Sequence, residues 1–292
     1  MTTVRKKQPL DDELMDRLRI NSDARIRLKL VRGLIQTGDA ISRLISGKPF
    51  FGLREAEALR TALGDRKDIE FAREVLKQNG GTTVHTHGLE NVPETGPVLI
   101  ASNHPTGPMD FFAQAGALLD RRPDFKVVAN ADMARFLGRD MIVPVRVDKQ
   151  THLNATNRTT SGMHDHLVEG RALLIFGAGR VPMMHDGKLI ERPWRSGATR
   201  VSRDCDVPVI PSAIDATNSA YYYGLRKLAM RLTRSEDTAL NIASLRYFAE
   251  LTDQLGKDID VHFGAPLPAG TSPDDLQTAA ESLVPHLHKR AE

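Results

Sequence analysis

From Thr82 to Phe263 the chain alternates short apolar runs with stretches of helical periodicity, and this alternation limits the possible folds more than any other feature. The predicted strands are Thr82 to His87, Val98 to Ser102, Lys126 to Ala129, Met141 to Val145, Ala172 to Phe176, Val207 to Ala213 and Ile259 to Phe263. Runs such as VLIAS and ALLIF are apolar at consecutive positions, which suits central strands covered on both faces. Short strands alternating with helices imply an α/β fold with crossovers. The expected architecture is a central, mostly parallel or mixed sheet of about seven strands covered by helices, with an N-terminal helical region. In such sheets, sites form at the carboxyl ends of the strands.

Before the first strand the pattern is helical. In Arg25 to Gly47, Ile26, Val31, Leu34, Ile35, Ile41, Leu44 and Ile45 recur at helical spacing beside Arg25, Arg27, Lys29, Arg32 and Arg43, with Gly33 and Gly38 as weak points. Two readings stay open: a basic amphipathic helix lying in a lipid headgroup layer, or a stripe packed on a core. Tyr221 to Arg234 presents the same choice. A further helix is expected over Leu53 to Asn79, ended by Gly80 and Gly81. A C-terminal helix is expected from Ser272 to Lys289, where serine is followed by proline and two acids. The predicted organisation is therefore residues 1–80 as a helical region that is a candidate for membrane association, 81–268 as the main domain, and 269–292 as a packing or lid helix.

Composition removes several classes of function. Forty basic residues against thirty-seven acidic give a net charge of +3 and a pI near 9.0, too mild a bias to imply nucleic acid. Cys205 stands alone, so no internal disulfide is expected; the thiol is read as inert and the compartment as the reducing cytoplasm. The first residues, MTTVRKKQPLDDELMDRL, lack a signal-peptide apolar core, and no eighteen apolar residues run together, so neither export nor a membrane-spanning helix is expected.

The segment richest in chemistry is VLIASNHPTGPMDFF, residues 98 to 112, in which a buried strand enters a Gly/Pro-rich turn and then a helix. Pro105 biases His104 toward extended geometry, and Gly107 with Pro108 folds the chain back so that Asp110 can return to His104. A carboxylate held on one imidazole nitrogen leaves the other to remove a hydroxyl or amine proton. The bland reading of the same string is that Asp110 caps the helix and His104 is merely hydrogen-bonded.

NHPTGPMD at 103 to 110 resembles the signature of the lysophospholipid (glycerolipid) acyltransferase superfamily, and later blocks follow in matching order. Five residues separate His104 from Asp110 where the superfamily usually has four, a spacing similar to its hemolysin-like branch, which includes acyltransferases of lyso-ornithine lipids. IVPVRVD at 142 to 148 is similar to the second block, which implies Arg146 as an acceptor-binding residue. Phe176 to Arg180 (FGAGR) is similar to the third block but lacks its glutamate, and Arg180 stands one place before the usual arginine. VPVIPSAI at 207 to 214 resembles the fourth, placing Pro211 in a pocket wall, and Asn218, Ser219 and IDVHFGAPL also match the branch.

The resemblance implies that His104 and Asp110 are catalytic, and that Asn103, Gly107, Arg146, Gly179 and Arg180 meet substrate, with amides near Gly107 stabilising an oxyanion. The implied co-substrate is acyl-CoA or acyl-ACP, with no bound cofactor or metal. The acceptor is a lysophospholipid or lyso-ornithine lipid, and the protein is expected to be cytoplasmic and peripheral to the inner face of the membrane. An amino-group acceptor, and a non-enzymatic membrane-binding protein, are the competing readings.

Other motifs are thin. His85 with His87, and His164 with His166, are spaced as metal ligands without a third partner nearby in sequence. No G-x-S-x-G elbow occurs, and GAGRVP at 177 to 182 falls short of a nucleotide loop. Trp194 reads as a wall or interface residue, and His152, His185, His262, His286 and His288 carry no usable pattern.

Overall fold

The computed structural model describes residues 8–17, 20–21, 24–145 and 152–288, except for the side chains of 16, 17 and 152–158. In chain order the helices are α1 (Asp11–Arg17), α2 (Arg25–Ser46), α3 (Leu53–Leu63), α4 (Asp68–Leu76), α5 (Pro108–Leu118), α6 (Ala134–Leu137), α7 (His152–Val168), α8 (Gly197–Cys205), α9 (Ala220–Thr233), α10 (Glu236–Ala243), α11 (Tyr247–Gln254) and α12 (Pro273–Leu283). The strands are β1 (Thr83–His87), β2 (Val98–Ser102), β3 (Lys126–Asn130), β4 (Ile142–Val145), β5 (Ala172–Phe176), β6 (Met183–His185), β7 (Lys188–Ile190), β8 (Val209–Asp215) and β9 (Asp258–Phe263). The chain divides into two compact units, residues 1–65 with 218–254, and residues 66–217 with 255–292.

The larger unit holds a seven-stranded sheet in the order β1-β9-β8-β2-β5-β3-β4. All neighbours pair in parallel except β8 and β9, so the sheet is mixed, as expected from sequence. Strands β2 and β5 sit at its centre, and Val98, Leu99, Ile100, Leu173 and Leu174 are fully buried. Each such aliphatic side chain contributes about 1.5–3 kcal/mol by leaving water. Ser102 is in register with both Phe176 and Ser212, which brings the carboxyl ends of β2, β5 and β8 together.

Three local features depart from the sequence reading. The helix expected over Leu53 to Asn79 is two, α3 and α4, parted at Gly64, whose φ of 59° ends the first. A second, antiparallel sheet pairs β6 with β7 around Asp186 and Gly187, whose φ of 49° and 75° suit a two-residue hairpin turn. The C-terminal helix starts as expected, with the Ser272 hydroxyl accepting the Asp275 N–H, but it ends at Leu283 rather than near Lys289. Pro285 disfavours helical geometry at Val284, which leaves the helix at φ −135°.

The smaller unit is helical. The Asp39 carboxylate is 2% exposed and accepts the N–H groups of Phe51, Gly52 and Leu53, fixing the turn into α3. Buried Arg246 donates to Glu250 Oε1 at 2.8 Å, and Glu250 accepts the Ser219 N–H and hydroxyl at 2.7 and 2.6 Å. The α2 pattern resolves into two faces: Leu28 and Ile35 are buried, whereas Ile26, Leu30, Leu34, Ile41, Leu44 and Ile45 are exposed. Among the described residues, no helix is long and apolar enough to cross a membrane.

Candidate active site

At the end of β2 the chain turns through Asn103, His104, Pro105, Thr106 and Gly107 into α5. Gly107 has φ 93°, a conformation that side-chain-bearing residues rarely adopt, and Pro108 occupies the first helical turn, where no N–H is needed. Asp110 lies one turn into the helix, 0% exposed. Its carboxylate accepts the Thr106 N–H at 2.9 Å, the Thr106 hydroxyl at 2.5 Å and the Gly107 N–H at 2.8 Å. His104 Nδ1 stands 2.8 Å from Asp110 Oδ2, within ion-pair range but off the line of an aligned hydrogen bond. Such contacts commonly tighten only once substrate is bound.

Asp110 therefore satisfies the helix start and also faces His104. The Thr106 and Gly107 N–H groups are directed at Asp110, so Gly107 shapes the turn and holds the carboxylate.

Phe176, at the end of β5, completes the surroundings of the imidazole. Its ring stacks on His104 with centroids 4.4 Å apart and planes 21° from parallel. Asn103 is 1% exposed; its amide donates to the Ile214 carbonyl at 3.2 Å and accepts the Ile214 N–H at 2.8 Å. These two bonds make Asn103 a strut between β2 and β8. Behind it, buried Gln114 donates to the hydroxyls of Ser102 (3.0 Å) and Ser212 (2.8 Å), coupling α5 to the same two strands.

The FGAGR segment leaves β5 at the same sheet edge as His104. Gly177 lies against Trp194: a Cβ there would fall 2.0 Å from the indole Cδ2, so only glycine fits. Trp194 is buried. Gly179 is exposed with φ 63°, and Arg180 is half-buried beside it. Arg146 lies outside the described residues.

Glu191 has no sequence signal that marked it. It is 9% exposed, and burial, with the charges of Glu281 and Asp110, pushes its carboxyl up to about 8. The Trp194 indole N–H and the His104 backbone N–H act against this, although neither carboxylate oxygen receives an aligned hydrogen bond.

The two histidine pairs marked in the sequence have local partners. His85 and His87 pair with Asp258 at 3.5 Å and Asp260 at 2.6 Å across the β1–β9 ladder. His164 is exposed beside Asp165, whereas His166 is buried with Nε2 2.8 Å from the Ala172 carbonyl, so the helix points these two apart. Half-buried Cys205 has its thiol pushed up by burial and by Asp204, which lowers thiolate reactivity.

A family model described as acyltransferase matches residues 56–285. The chain belongs to this acyltransferase family. The protein is thus an acyltransferase of the lysophospholipid acyltransferase superfamily, the one its sequence blocks resemble. It is 26% identical over 223 residues to a lyso-glycine lipid O-acyltransferase of Bacteroides thetaiotaomicron, covering 74% of this chain and 77% of the relative. A lyso-glycine lipid O-acyltransferase of Phocaeicola vulgatus is 25% identical over 204 residues, covering 68% of each chain. Among solved structures, a 1-acyl-sn-glycerophosphate acyltransferase, PlsC, from Thermotoga maritima aligns over 89% of this chain and 97% of its own, with a TM-score of 0.47 and 16% identity.

Proposed function

We propose that this acyltransferase moves a fatty acyl group from a thioester donor, acyl-CoA or acyl-ACP, to a hydroxyl of a lysolipid, with His104 as general base and Asp110 as its orienting carboxylate. The observation that carries the reading is the 2.8 Å approach of His104 Nδ1 to a fully buried Asp110 that is itself held by three donors. With Nδ1 turned to the carboxylate, Nε2 takes the proton of the acceptor hydroxyl as its oxygen attacks the thioester carbonyl. Collapse of the tetrahedral adduct breaks the carbon–sulfur bond, and the imidazolium returns the proton to the departing thiolate. No acyl-enzyme is needed. Asp110 and the Phe176 ring both favour the transient imidazolium.

The names of the two curated relatives support an O-acylated lysolipid as the acceptor class, with lyso-ornithine lipid and lysophospholipid as the chemically related alternatives. Arg180 suits an anionic headgroup because guanidinium forms paired hydrogen bonds with carboxylate or phosphate; Arg146 and Gly179 belong to the same proposal. The exposed apolar side chains of α2, flanked by Arg25, Arg27 and Lys29, suit docking on the inner face of an anionic membrane, where a lysolipid resides. The test is transfer of labelled acyl groups from acyl-CoA and from acyl-ACP to a panel of lyso-glycine, lyso-ornithine and lysophospholipids. Esterified product from one acceptor class supports the reading; none from any pairing refutes it.

A further inference from the structure

Behind the His104 turn, three ligand-bearing side chains from separate parts of the chain converge. Glu191 follows β7, Glu281 lies on α12, and His288 sits beyond it, tied to β7 through the Leu189–His288 bridge and the Leu189 N–H to Leu287 carbonyl hydrogen bond. One ligand atom from each lies within 4.8 Å of the other two. Each of the three residues is only 9% exposed. Neither oxygen of Glu191 and neither ring nitrogen of His288 has an aligned hydrogen-bond partner. His288 Nδ1 approaches Glu281 Oε1 only to 3.8 Å, and that oxygen already accepts from Gln277 Nε2 at 2.8 Å.

Buried polar groups in folded proteins find partners, and a buried pair of carboxylates without a cation is costly. The charged groups that act most strongly on Glu191, Glu281 and Asp110, are themselves acidic. Ionised on binding, the two carboxylates with a neutral imidazole carry a charge of −2, which one dication balances. Cis ligands at about 2.0–2.2 Å from a first-row ion stand roughly 3–3.5 Å apart, so small rotamer movements close the present cluster onto a metal. The imidazole favours Zn²⁺ or a similar transition ion over Mg²⁺ or Ca²⁺, which prefer all-oxygen sites.

We infer that Glu191, Glu281 and His288 form a binding site for one divalent transition-metal ion, Zn²⁺ by ligand chemistry, which ties α12 and the C-terminal segment to the loop supporting the His104 turn. The ion in this site is structural and touches neither substrate nor His104 Nε2. The histidines that the sequence singled out as metal-like, His85, His87, His164 and His166, take no part.

The test uses full-length protein stripped with EDTA and titrated calorimetrically with ZnCl₂, alongside Glu281→Gln, Glu191→Gln, His288→Ala and the surface control His185→Ala. Circular dichroism identifies the variants that are folded. The expected result is one equivalent bound by wild type and by His185→Ala, with a rise in melting temperature. Each folded ligand variant should lose more than the roughly 10–100-fold typical of an outer-sphere partner, and MgCl₂ should give no comparable heat. Absence of stoichiometric Zn²⁺ binding by wild type overturns the inference, whichever variants fold. So does unchanged affinity in the folded ligand variants, which would place the ion on surface histidines.

Discussion

The imidazole of His104 lies almost parallel to the ring of Phe176, 4.4 Å away, while its Nδ1 faces Asp110 on another side. The ring is thus fixed by a plane and by a charge. Phe176→Leu keeps the volume apolar but removes the π-face, a contact worth about 0.5–1.5 kcal/mol. The expected outcome is a fall in kcat of about 2- to 10-fold with little change in KM, measured by steady-state acyl transfer.

Gly177 has no room for a side chain, because Trp194 occupies the place of its Cβ. Gly177→Ala should lower stability by about 1–3 kcal/mol through overpacking. Trp194 is the only tryptophan in the chain, so its fluorescence reports the unfolding midpoint in urea. An unchanged midpoint would show that the indole moves aside freely.

His166 gives the fold a defined acid sensitivity. Burial, the largest effect, pushes its imidazole below the usual 6.5, with Lys126 and Arg171 adding to the shift. Because the folded value is depressed, the unfolded chain takes up the proton first as pH falls. Stability is therefore full above about pH 6.5 and declines below it, through the window down to the folded value. His166→Gln should flatten the decline in melting temperature between pH 7.5 and 5.5, read by thermal denaturation.

The exposed face of α2 offers a direct test of the membrane proposal. Leu34 and Leu44 are 73% and 88% exposed, so replacing them with glutamate costs the smaller unit little packing. A buried leucine is worth about 1.5–3 kcal/mol of transfer. Leu34→Glu and Leu44→Glu should each cut co-flotation with anionic vesicles by about tenfold or more. Undiminished binding would remove α2 from the docking surface.

Much of the fold was legible from local pattern. All seven strands of the main sheet were anticipated because VLIAS, ALLIF and their neighbours are apolar over strand-length runs bounded by turn residues. The Ser272 cap was visible for the same local reason. The β6–β7 hairpin was missed although Asp186–Gly187 is a strong turn signal, because its flanking residues are mostly polar and exposed. The split of α2 into a buried and an exposed face was not resolved, since periodicity marks an apolar stripe without saying what covers it.

The candidate site shows the same division. The return of Asp110 to His104 follows from Pro105, Gly107 and Pro108, all local. Phe176 and Glu191 approach His104 only because β5 lies beside β2 and the loop after β7 folds beneath the turn, relations between distant segments that one sequence does not display. The pairing of both ends of the Asn103 amide with Ile214 is likewise a relation that nothing local reveals.

The central claim is that the Nε2 of His104, poised by Asp110, removes the acceptor proton. The decisive measurement is the rate of acyl transfer to the best lysolipid acceptor by wild type, His104→Ala and Asp110→Asn, each shown to be folded by circular dichroism. The account predicts a loss of about 10²–10⁴-fold for His104→Ala and a large loss for Asp110→Asn, with acceptor binding retained. Transfer by folded His104→Ala at the wild-type rate would contradict it.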